Sequence, residues 1–395
     1  MWSSTTSSHQ NQQKIHEKVY KNEHQVCLPP CELKREEYEP KKSFYEMHQQ
    51  TKRWTNWESQ RIVTAPGHCA TVDSVLLFEK NDNKFCLSES RDRVIRFWDV
   101  DNVERGVDSV ANPWTVAQDD MAQLEWSWNM ARDSNTDRFY STSWDSTVKS
   151  WAITDNGAIQ NLNTVNVGSA VQAVSCSGNE NEIVCTTFAK RTAVIDSRTF
   201  GIVAEHSLHK RAVIGLAVKE NKIFTCGEDR LMMMVDRRNM SRPVLFEYCQ
   251  DAYKSSLSLQ RNQLLTSTSD GKVKLYDATN FHDFQTYSVG AFTRQSLLQH
   301  GAHFVMARCK RGYYKFLMNS PGIRSPKRCS SHQLTAKPAK FDYSSEMKTL
   351  TIGNSMDRSE RRSMIVSDGV GTWEYAVAAY TVFGGIVGNC GSSLN

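Results

Sequence analysis

The chain has 395 residues, of which 39% are hydrophobic and 23% charged, and its formal net charge is +5. A positive excess this small and dispersed predicts neither a nucleic acid nor a membrane surface as a partner. The sequence has no run of about 18 apolar residues, and its polar N-terminus, MWSSTTSSHQNQQ, lacks the apolar core of a secretory signal. The eleven cysteines include no CxxC pair and favour free thiols, so we expect a cytoplasmic or nuclear protein.

Residues 1–58 are predicted to form a mostly irregular or short-helical extension. The first 27 residues are polar. Leu28-Pro29-Pro30 follows, and after it comes a highly charged segment, CELKREEYEPKKSFYEMHQQTKRW. The extension therefore has the composition of a polar tail joined to a charged linker.

A repeated layout begins with the segment SRDRVIRFWD (90–99). Each copy has a Ser/Thr-rich run, an Asp at a tight turn, and alternating apolar residues typical of a half-buried strand. The further copies are STSWDSTVKSW (141–151), TCGEDRLMMMVD (225–236) and TSTSDGKVKLYD (266–277). Six positions separate Asp92 from Trp98, and the same interval follows the turn Asp in the other three copies.

The repeat predicts an all-β, seven-bladed propeller over residues 59–376, with no helical periodicity inside it. The blade ends are placed at Trp98, Trp151, Ile195, Val235, Tyr276, Phe316 and Trp373. Their intervals of 53, 44, 40, 41, 40 and 57 residues lie near the roughly 40–45 residues of a four-stranded propeller blade. Residues 377–395 are predicted to be an apolar, Gly-rich tail.

Three features depart from the regular repeat. The third and sixth units have Ala189 and Lys310 where the turn Asp is expected. In the seventh unit, 16 positions instead of six separate Asp357 from Trp373. The strand-like segment RIVTA (61–65) is suited to complete the seventh blade and so to close the ring.

The polar residues of the repeat are predicted to be structural. His68, Ser88, Asp92 and Trp98 can hydrogen-bond in series, which satisfies polar groups buried between blades. Asp145, Trp151, His209, Thr225, Asp229 and Asp270 are given the same role by their repeat positions. Ser, His and Asp are also the components of a hydrolase triad, but they recur with the repeat and no GxSxG elbow is present. The sequence therefore predicts no enzyme, no cofactor and no metal site.

The quoted segments, together with GHCATVDSVLLF (67–78) and GEDRLMMMVDRR (227–238), resemble the WD-repeat family and, within it, the F-box/WD-repeat proteins. The resemblance extends over about residues 28–289. It implies a substrate-recognition component of an SCF-type cullin–RING ubiquitin ligase, with an F-box that binds the Skp adaptor. No complete F-box is recognisable, because the segment after Leu28-Pro29 resembles the linker that follows one. The alternative is a WD-repeat scaffold for a complex unrelated to ubiquitin.

The resemblance also implies a partner-binding face at the mouth of the central channel. Two sets of positions contribute to it, one just before the turn Asp and one early in the innermost strand. The first set is Arg91, Trp144, Phe188 and Glu228, and the second set is Asp73, Trp128, Gln172 and Ile214. One Arg among two acids is a poor phosphate site, since phosphate favours clustered Arg. We expect a protein substrate or peptide anchored on Trp128 and Trp144; the alternative is that both Trp only pack between blades.

Overall fold

The computed structural model describes residues 65–105, 113–133, 136–176, 181–290, 292–299, 302–308, 314–319, 337–344, 349–355 and 376–377. These residues form 27 β-strands and one short helix. The first strand, β1 (Ala65–Pro66), pairs with the last, β27 (Ala376–Val377). The other strands form seven antiparallel sheets whose strands follow one another in chain order.

Five of the seven sheets have four strands each. The first contains β2 (Val72–Lys80), β3 (Asn83–Ser90), β4 (Ile95–Asp99) and β5 (Thr115–Asp119). The second contains β6 (Ser127–Arg132), β7 (Arg138–Ser143), β8 (Thr147–Ile153) and β9 (Ile159–Asn166). The third contains β10 (Val171–Cys176), β11 (Glu182–Thr187), β12 (Thr192–Asp196) and β13 (Ile202–His206).

The remaining sheets continue the same order. The fourth contains β14 (Val213–Lys219), β15 (Lys222–Gly227), β16 (Leu231–Asp236) and β17 (Leu245–Tyr248). The fifth contains β18 (Lys254–Gln260), β19 (Gln263–Thr268), β20 (Lys272–Asp277) and β21 (Asp283–Ser288). The sixth has β22 (Thr293–Gln299), β23 (Ala302–Arg308) and β24 (Tyr314–Asn319), and the seventh has β25 (Lys337–Ser344) and β26 (Thr349–Ser355).

The sheets are arranged in a closed ring. The first strands contact one another in the order β2, β6, β10, β14, β18, β22 and β25, and β25 contacts β2 again. At this junction the Leu77 N–H donates to Oδ2 of Asp342 over 2.8 Å. The predicted all-β architecture is therefore confirmed. A count of seven complete blades stays a prediction, because only three strands of the sixth sheet and two of the seventh lie within the described residues.

The hydrophobic core is divided into layers between neighbouring sheets. Phe78, Leu87 and Phe97 of the first sheet pack against Phe139 and Trp151 of the second. Equivalent layers join the second sheet to the third, the third to the fourth, the fourth to the fifth and the fifth to the sixth. The outermost strands are mostly exposed, as in β9 and β13, and they close each sheet toward solvent.

The blade ends predicted from the repeat occupy equivalent places. Six of them, from Trp98 to Phe316, lie on the third strand of their sheets. Trp373, Lys310 and the long seventh turn lie outside the described residues, as do the extension 1–58 and the end of the tail. Of the segment predicted to close the ring, residues 61–65, only Ala65 is described, and it lies in β1.

The absence of helix predicted for the propeller is wrong at one place. Helix α1 (Val100–Arg105) follows β4 directly. The Asp99 side chain accepts a hydrogen bond from the Asn102 N–H over 2.9 Å and so caps its first turn. Val100 and Val103 are buried. Six residues are too few to show helical periodicity, and the helix accounts for part of the long 53-residue first interval.

A candidate partner-binding face at the mouth of the channel

The innermost strands share one irregularity near their start. A shift in pairing register leaves one residue bulged out of each of the seven strands. The bulged residues are Asp73, Trp128, Gln172, Ile214, Ser255, Arg294 and Ala339. A β-bulge bends its strand and re-aims the side chain that it carries. In six of the seven sheets, all but the last, the bulged residue lines one shared cavity.

A cavity of about 200 Å³ lies where these bulges converge. Its lining residues come from all seven sheets or from the loops that lead into them: Asp73, Trp128, Asn129, Gln172, Ile214, Glu228, Tyr253, Ser255, Phe292, Arg294, Gln295 and Lys340. Five of the eight residues predicted for the partner face are among them. Because all seven sheets contribute, the cavity lies at the mouth of the central channel.

The positions just before the turn Asp form a second set around this mouth. Arg91, Trp144, Phe188, Glu228 and Ser269 each donate a backbone N–H to a carbonyl in the loop that leads into their sheet's innermost strand, over 2.9–3.0 Å. Because the same hydrogen bond recurs in five sheets, these residues occupy equivalent places. The structure thus brings both predicted sets of positions together at one end of the ring.

Four aromatic side chains form a cluster on one side of the mouth. Trp144 lies 4.5 Å from Phe188, 5.7 Å from Trp128 and 6.2 Å from Trp126, measured between ring centroids. Trp126 and Trp144 are 47% and 42% exposed, whereas Trp128 and Phe188 are half-buried. We call Trp126, Trp128, Trp144 and Phe188 the aromatic cluster. Trp128 thus packs against neighbouring sheets, while Trp144 also presents a large apolar surface to solvent.

Arg91 is held by the first and second sheets. Its guanidinium donates two hydrogen bonds to Asp73, over 2.6 and 3.2 Å. It also lies 4.9 Å from the ring centroid of Trp128 and 5.2 Å from that of Trp126, within the range of a cation–π contact. Because its charge and its planar face are both engaged, Arg91 positions the aromatic cluster rather than standing free for a phosphate.

The mouth holds more positive charge than the sequence analysis assigned to it. The prediction of one Arg among two acids covered eight positions, and Arg294 and Lys340 line the cavity in addition to them. Arg294 lies 3.5 Å from Asp73, whose carboxylate therefore faces two guanidinium groups. Burial, reinforced by the neighbouring charge of Arg294, lowers the pKa of Lys340 to about 8. The sequence reasoning missed both cations because it assigned no mouth positions in the last two units.

A third missed residue is Trp126, which lies just before β6. Leu124, 69% exposed, and Met121, 60% exposed, precede it in the same loop. Three large apolar side chains exposed within six residues are the signal that could have marked this loop, since exposed apolar surface is normally scattered. The loop extends the aromatic cluster outward from the cavity.

The residues predicted to be structural lie beneath this face. In the first sheet, the Trp98 Nε1–H donates to Ser88 Oγ over 2.7 Å, and Ser88 Oγ lies 2.7 Å from Nε2 of His68. Nδ1 of His68 lies 3.0 Å from the Asp92 carboxylate. Burial lowers the pKa of His68, and the Asp92 carboxylate opposes this shift. A neutral His68 with its proton on Nδ1 completes a single chain of donors from Trp98 through Ser88 to Asp92.

The second sheet builds a related arrangement without a histidine. Trp151 and Gln123 both donate to Ser141 Oγ, over 2.8 and 2.6 Å. Asp145 accepts a hydrogen bond from the Leu124 N–H over 3.0 Å. Gln123 was missed because an amide replaces the imidazole, although it precedes the turn Asp at a similar distance along the chain.

The fourth and fifth sheets retain parts of this arrangement. In the fourth, His209 lies 3.0 Å from Asp229 and 2.9 Å from Thr225. In the fifth, Asp270 instead accepts hydrogen bonds from Thr268 and pairs with Lys272 over 2.9 Å. Ser88 and His68 are each only 1% exposed, so the Ser–His–Asp set of the first sheet has no access for a substrate. These side chains hold turns and neighbouring strands together.

Solved structures place this arrangement in a known fold. The WD40 β-propeller domain of Doa1 is 17% identical and matches with a TM-score of 0.60, over 75% of this chain and 94% of that one. The WD40 repeats of RRP9 are 14% identical with a TM-score of 0.65, over 82% of this chain and 99% of that one. The chain is a WD-repeat β-propeller. Within the described ranges, no helix is long and apolar enough to cross a membrane.

Related sequences then identify the family. The chain is 67% identical over 344 residues to the F-box/WD repeat-containing protein mec-15 of Caenorhabditis elegans. The aligned region covers 87% of this chain and 85% of that protein. It is 30% identical over 241 residues to human F-box/WD repeat-containing protein 9, and the aligned region covers 60% of this chain and 50% of that protein. No protein-family model matches. The chain belongs to the F-box/WD repeat-containing proteins, which confirms the resemblance seen in the sequence.

Proposed function

We propose that the protein is a substrate-recognition adaptor of an SCF-type ubiquitin ligase in the cytoplasm or nucleus, and that it binds its protein partner at the mouth of the channel. The observation that carries this proposal is the exposed aromatic cluster, displayed by a propeller of the F-box/WD repeat family. The six cysteines of the described residues are free thiols, which supports a reducing compartment. The Skp adaptor and a cullin would be the ligase partners.

The aromatic cluster favours an apolar or aromatic segment of the partner. Trp and Tyr dominate the binding energy of protein interfaces when they are desolvated at the centre of the contact. Trp144 and Trp126 present large apolar areas whose orientation is fixed by Phe188, Trp128 and Arg91. A fixed aromatic surface loses little entropy when a partner orders on it.

The ring itself accounts for how such an adaptor would act. Its inter-sheet layers and buried hydrogen-bond chains keep the face rigid. A rigid face holds a bound substrate in one orientation, so that the substrate's lysines can meet a ubiquitin-carrying enzyme. This role requires placement and no covalent chemistry from the adaptor.

The test of the face is recovery of partner proteins by the full chain carrying Trp126→Ala and Trp144→Ala. We expect capture to fall by roughly 30-fold or more, which corresponds to a loss of about 2 kcal/mol at a central aromatic contact. The matched control is Phe246→Ala, because Phe246 is 69% exposed on the outermost strand of the fourth sheet. Equal recovery by the double variant and the control would disprove the proposed face.

The link to ubiquitin is tested separately, by asking whether the full chain co-purifies with the Skp adaptor and a cullin. Recovery of both, together with substrate ubiquitination that requires the aromatic cluster, is the expected result. If partners bind the aromatic cluster while neither ligase component is ever recovered, the protein is instead a scaffold for a complex unrelated to ubiquitin.

A further inference from the structure

A buried lysine contacts a cysteine thiol at the junction of the fourth and fifth sheets. Nζ of Lys254 lies 2.8 Å from Sγ of Cys249 and 3.1 Å from Oε2 of Glu247. The Lys254 side chain is only 2% exposed. On its other side, the hydroxyl of Tyr276 donates to Oε1 of Glu247 over 2.9 Å. An amine, a thiol and a carboxylate therefore share one partly buried site.

Cys249 differs from four of the five other cysteines in the described part of the chain. Burial raises the pKa of the thiols of Cys86, Cys176, Cys185 and Cys226 to about 12, so these thiols stay protonated and inert. Cys249 is instead half-buried directly after β17, with the amine of Lys254 in contact with its sulfur.

We propose that Cys249 and Lys254 form a covalent sulfur–nitrogen bond when the protein meets hydrogen peroxide. The contact between Sγ and Nζ is already shorter than the sum of their van der Waals radii, so bond formation requires little movement. Sulfenic acids are known to condense with nitrogen in this way. Lys254 is the one lysine placed against a cysteine sulfur within the described residues.

The reaction balances with one peroxide per bond. The Cys249 sulfur attacks a peroxide oxygen, the O–O bond breaks, and the S–H proton passes to the departing oxygen, so that the sulfur becomes a sulfenic acid and one water is released. The Lys254 ammonium then gives one proton to the Glu247 carboxylate, and its neutral nitrogen attacks the sulfur. The S–O bond breaks, and the departing hydroxide takes a second proton from that nitrogen and leaves as a second water, while Glu247 keeps the first proton. The sulfur loses two electrons and the peroxide gains them.

The bond would tie the loop after β17 to the first residue of β18. Tyr253 and Ser255, on either side of Lys254, line the cavity at the channel mouth. The modification is therefore placed to stiffen one wall of the candidate face and to remove the positive charge that neutralises Glu247. It does not depend on which partner the face binds.

The test is mass spectrometry of the intact full chain after exposure to hydrogen peroxide, followed by alkylation and trypsin. Trypsin normally cuts after Lys254, but it does not cut after a lysine whose side-chain nitrogen is bound to sulfur. We expect a single peptide spanning residues 239–261, lighter than its unmodified sequence by about two hydrogens, since the bond replaces one S–H and one N–H. Treatment with a thiol reductant should restore the cut and the mass.

Two variants serve as matched controls. Lys254→Arg keeps a cation beside the sulfur but should give no bond, and Cys249→Ser should keep cleavage at residue 254 under peroxide. The unmodified chain itself decides the question, so the test does not rely on how either variant folds. Recovery of Cys249 as sulfinic or sulfonic acid in a peptide cut at Lys254, or as a free thiol after peroxide, would overturn the proposal.

Discussion

The first and third sheets hold the turn between their second and third strands by different means. In the first sheet Asp92 joins a buried chain of hydrogen bonds through His68 and Ser88 to Trp98. In the third sheet Ala189 takes the place of the Asp. There the Thr187 side chain closes the turn, accepting from the Arg191 N–H over 3.2 Å and donating to the Arg191 carbonyl over 3.3 Å, and the Ser169 hydroxyl accepts from the Ala189 N–H over 3.2 Å.

The backbone of the two turns is nevertheless the same. Arg93 and Lys190, one residue after the turn position, have φ of 72° and 71°. Arg91 and Phe188 make the same hydrogen bond to the preceding loop, each over 3.0 Å. The turn therefore does not need the Asp or the histidine. What the chain adds in the first sheet is partners for the polar groups of His68 and Trp98, which the fold has buried.

The largest expected effect is loss of the shared hydroxyl in the first sheet. Ser88→Ala leaves the Trp98 N–H and His68 Nε2 buried without a partner, and each such group costs about 1–3 kcal/mol. We expect the free energy of unfolding to fall by about 2–4 kcal/mol, measured by the urea midpoint at constant m.

The matched control is the equivalent position of the third sheet. Cys185 is also fully buried but lies in an apolar layer. Cys185→Ala removes only a small apolar volume and should cost about 1 kcal/mol. If both variants lose the same stability, the hydrogen-bond chain contributes nothing beyond packing, and the contrast between the two sheets fails.

The next effect concerns Glu89, one position further along the same strand. In the third sheet this position is Thr186, whose hydroxyl donates to the Val213 carbonyl of the next sheet over 3.2 Å. Glu89 is 0% exposed, and neither of its carboxylate oxygens makes a hydrogen bond of good geometry within the described residues. Burial raises the pKa of Glu89 well above its ordinary range, and the Ser127 hydroxyl opposes this shift only in part.

The sign of the resulting pH dependence follows from the raised pKa. Below the ordinary pKa of a glutamate, Glu89 holds its proton in both the folded and the unfolded state, so its burial causes no pH-dependent loss of folding stability. As pH rises toward the folded-state pKa, only the unfolded state releases the proton, and stability is lost. Glu89→Gln removes this loss, and we expect about 1–3 kcal/mol of added stability at neutral pH and a flatter profile. Urea midpoints measured from acid to neutral pH would refute this if both proteins showed the same slope.

The sequence predicted the parts of the molecule in which the repeat is regular. The turn Asp and the aromatic six positions later identified the third strands, because a tight turn and a buried strand end both restrict residue type. It could not predict Gln123, because an amide that donates to Ser141 takes the place of an imidazole that accepts from the equivalent Ser88. Arg294 at a bulge and Lys340 directly after one were missed because a bulge tolerates any side chain, and without a turn Asp to fix the register its position cannot be located.

The smallest effect is expected from giving the third sheet the residue that it lacks. In the fifth sheet Thr268 and Asp270 act together, and the Lys272 N–H approaches both side chains, over 3.0 and 3.4 Å. Thr187 and Ala189 are the equivalent residues, and Ala189 is exposed. Ala189→Asp should therefore add one local hydrogen bond and raise the free energy of unfolding by about 0.5–1 kcal/mol.

The neutral variant Ala189→Asn separates two origins of this gain. An amide oxygen can make the same hydrogen bond to the turn but carries no charge, so a gain shared by both variants comes from the turn geometry. A gain confined to Ala189→Asp and lost at high salt comes from an exposed ion pair, which is worth only about 0.2–1 kcal/mol. A loss of stability in both variants would mean that Thr187 already meets the needs of this turn, and that the two sheets are alternative solutions rather than a complete and an incomplete one.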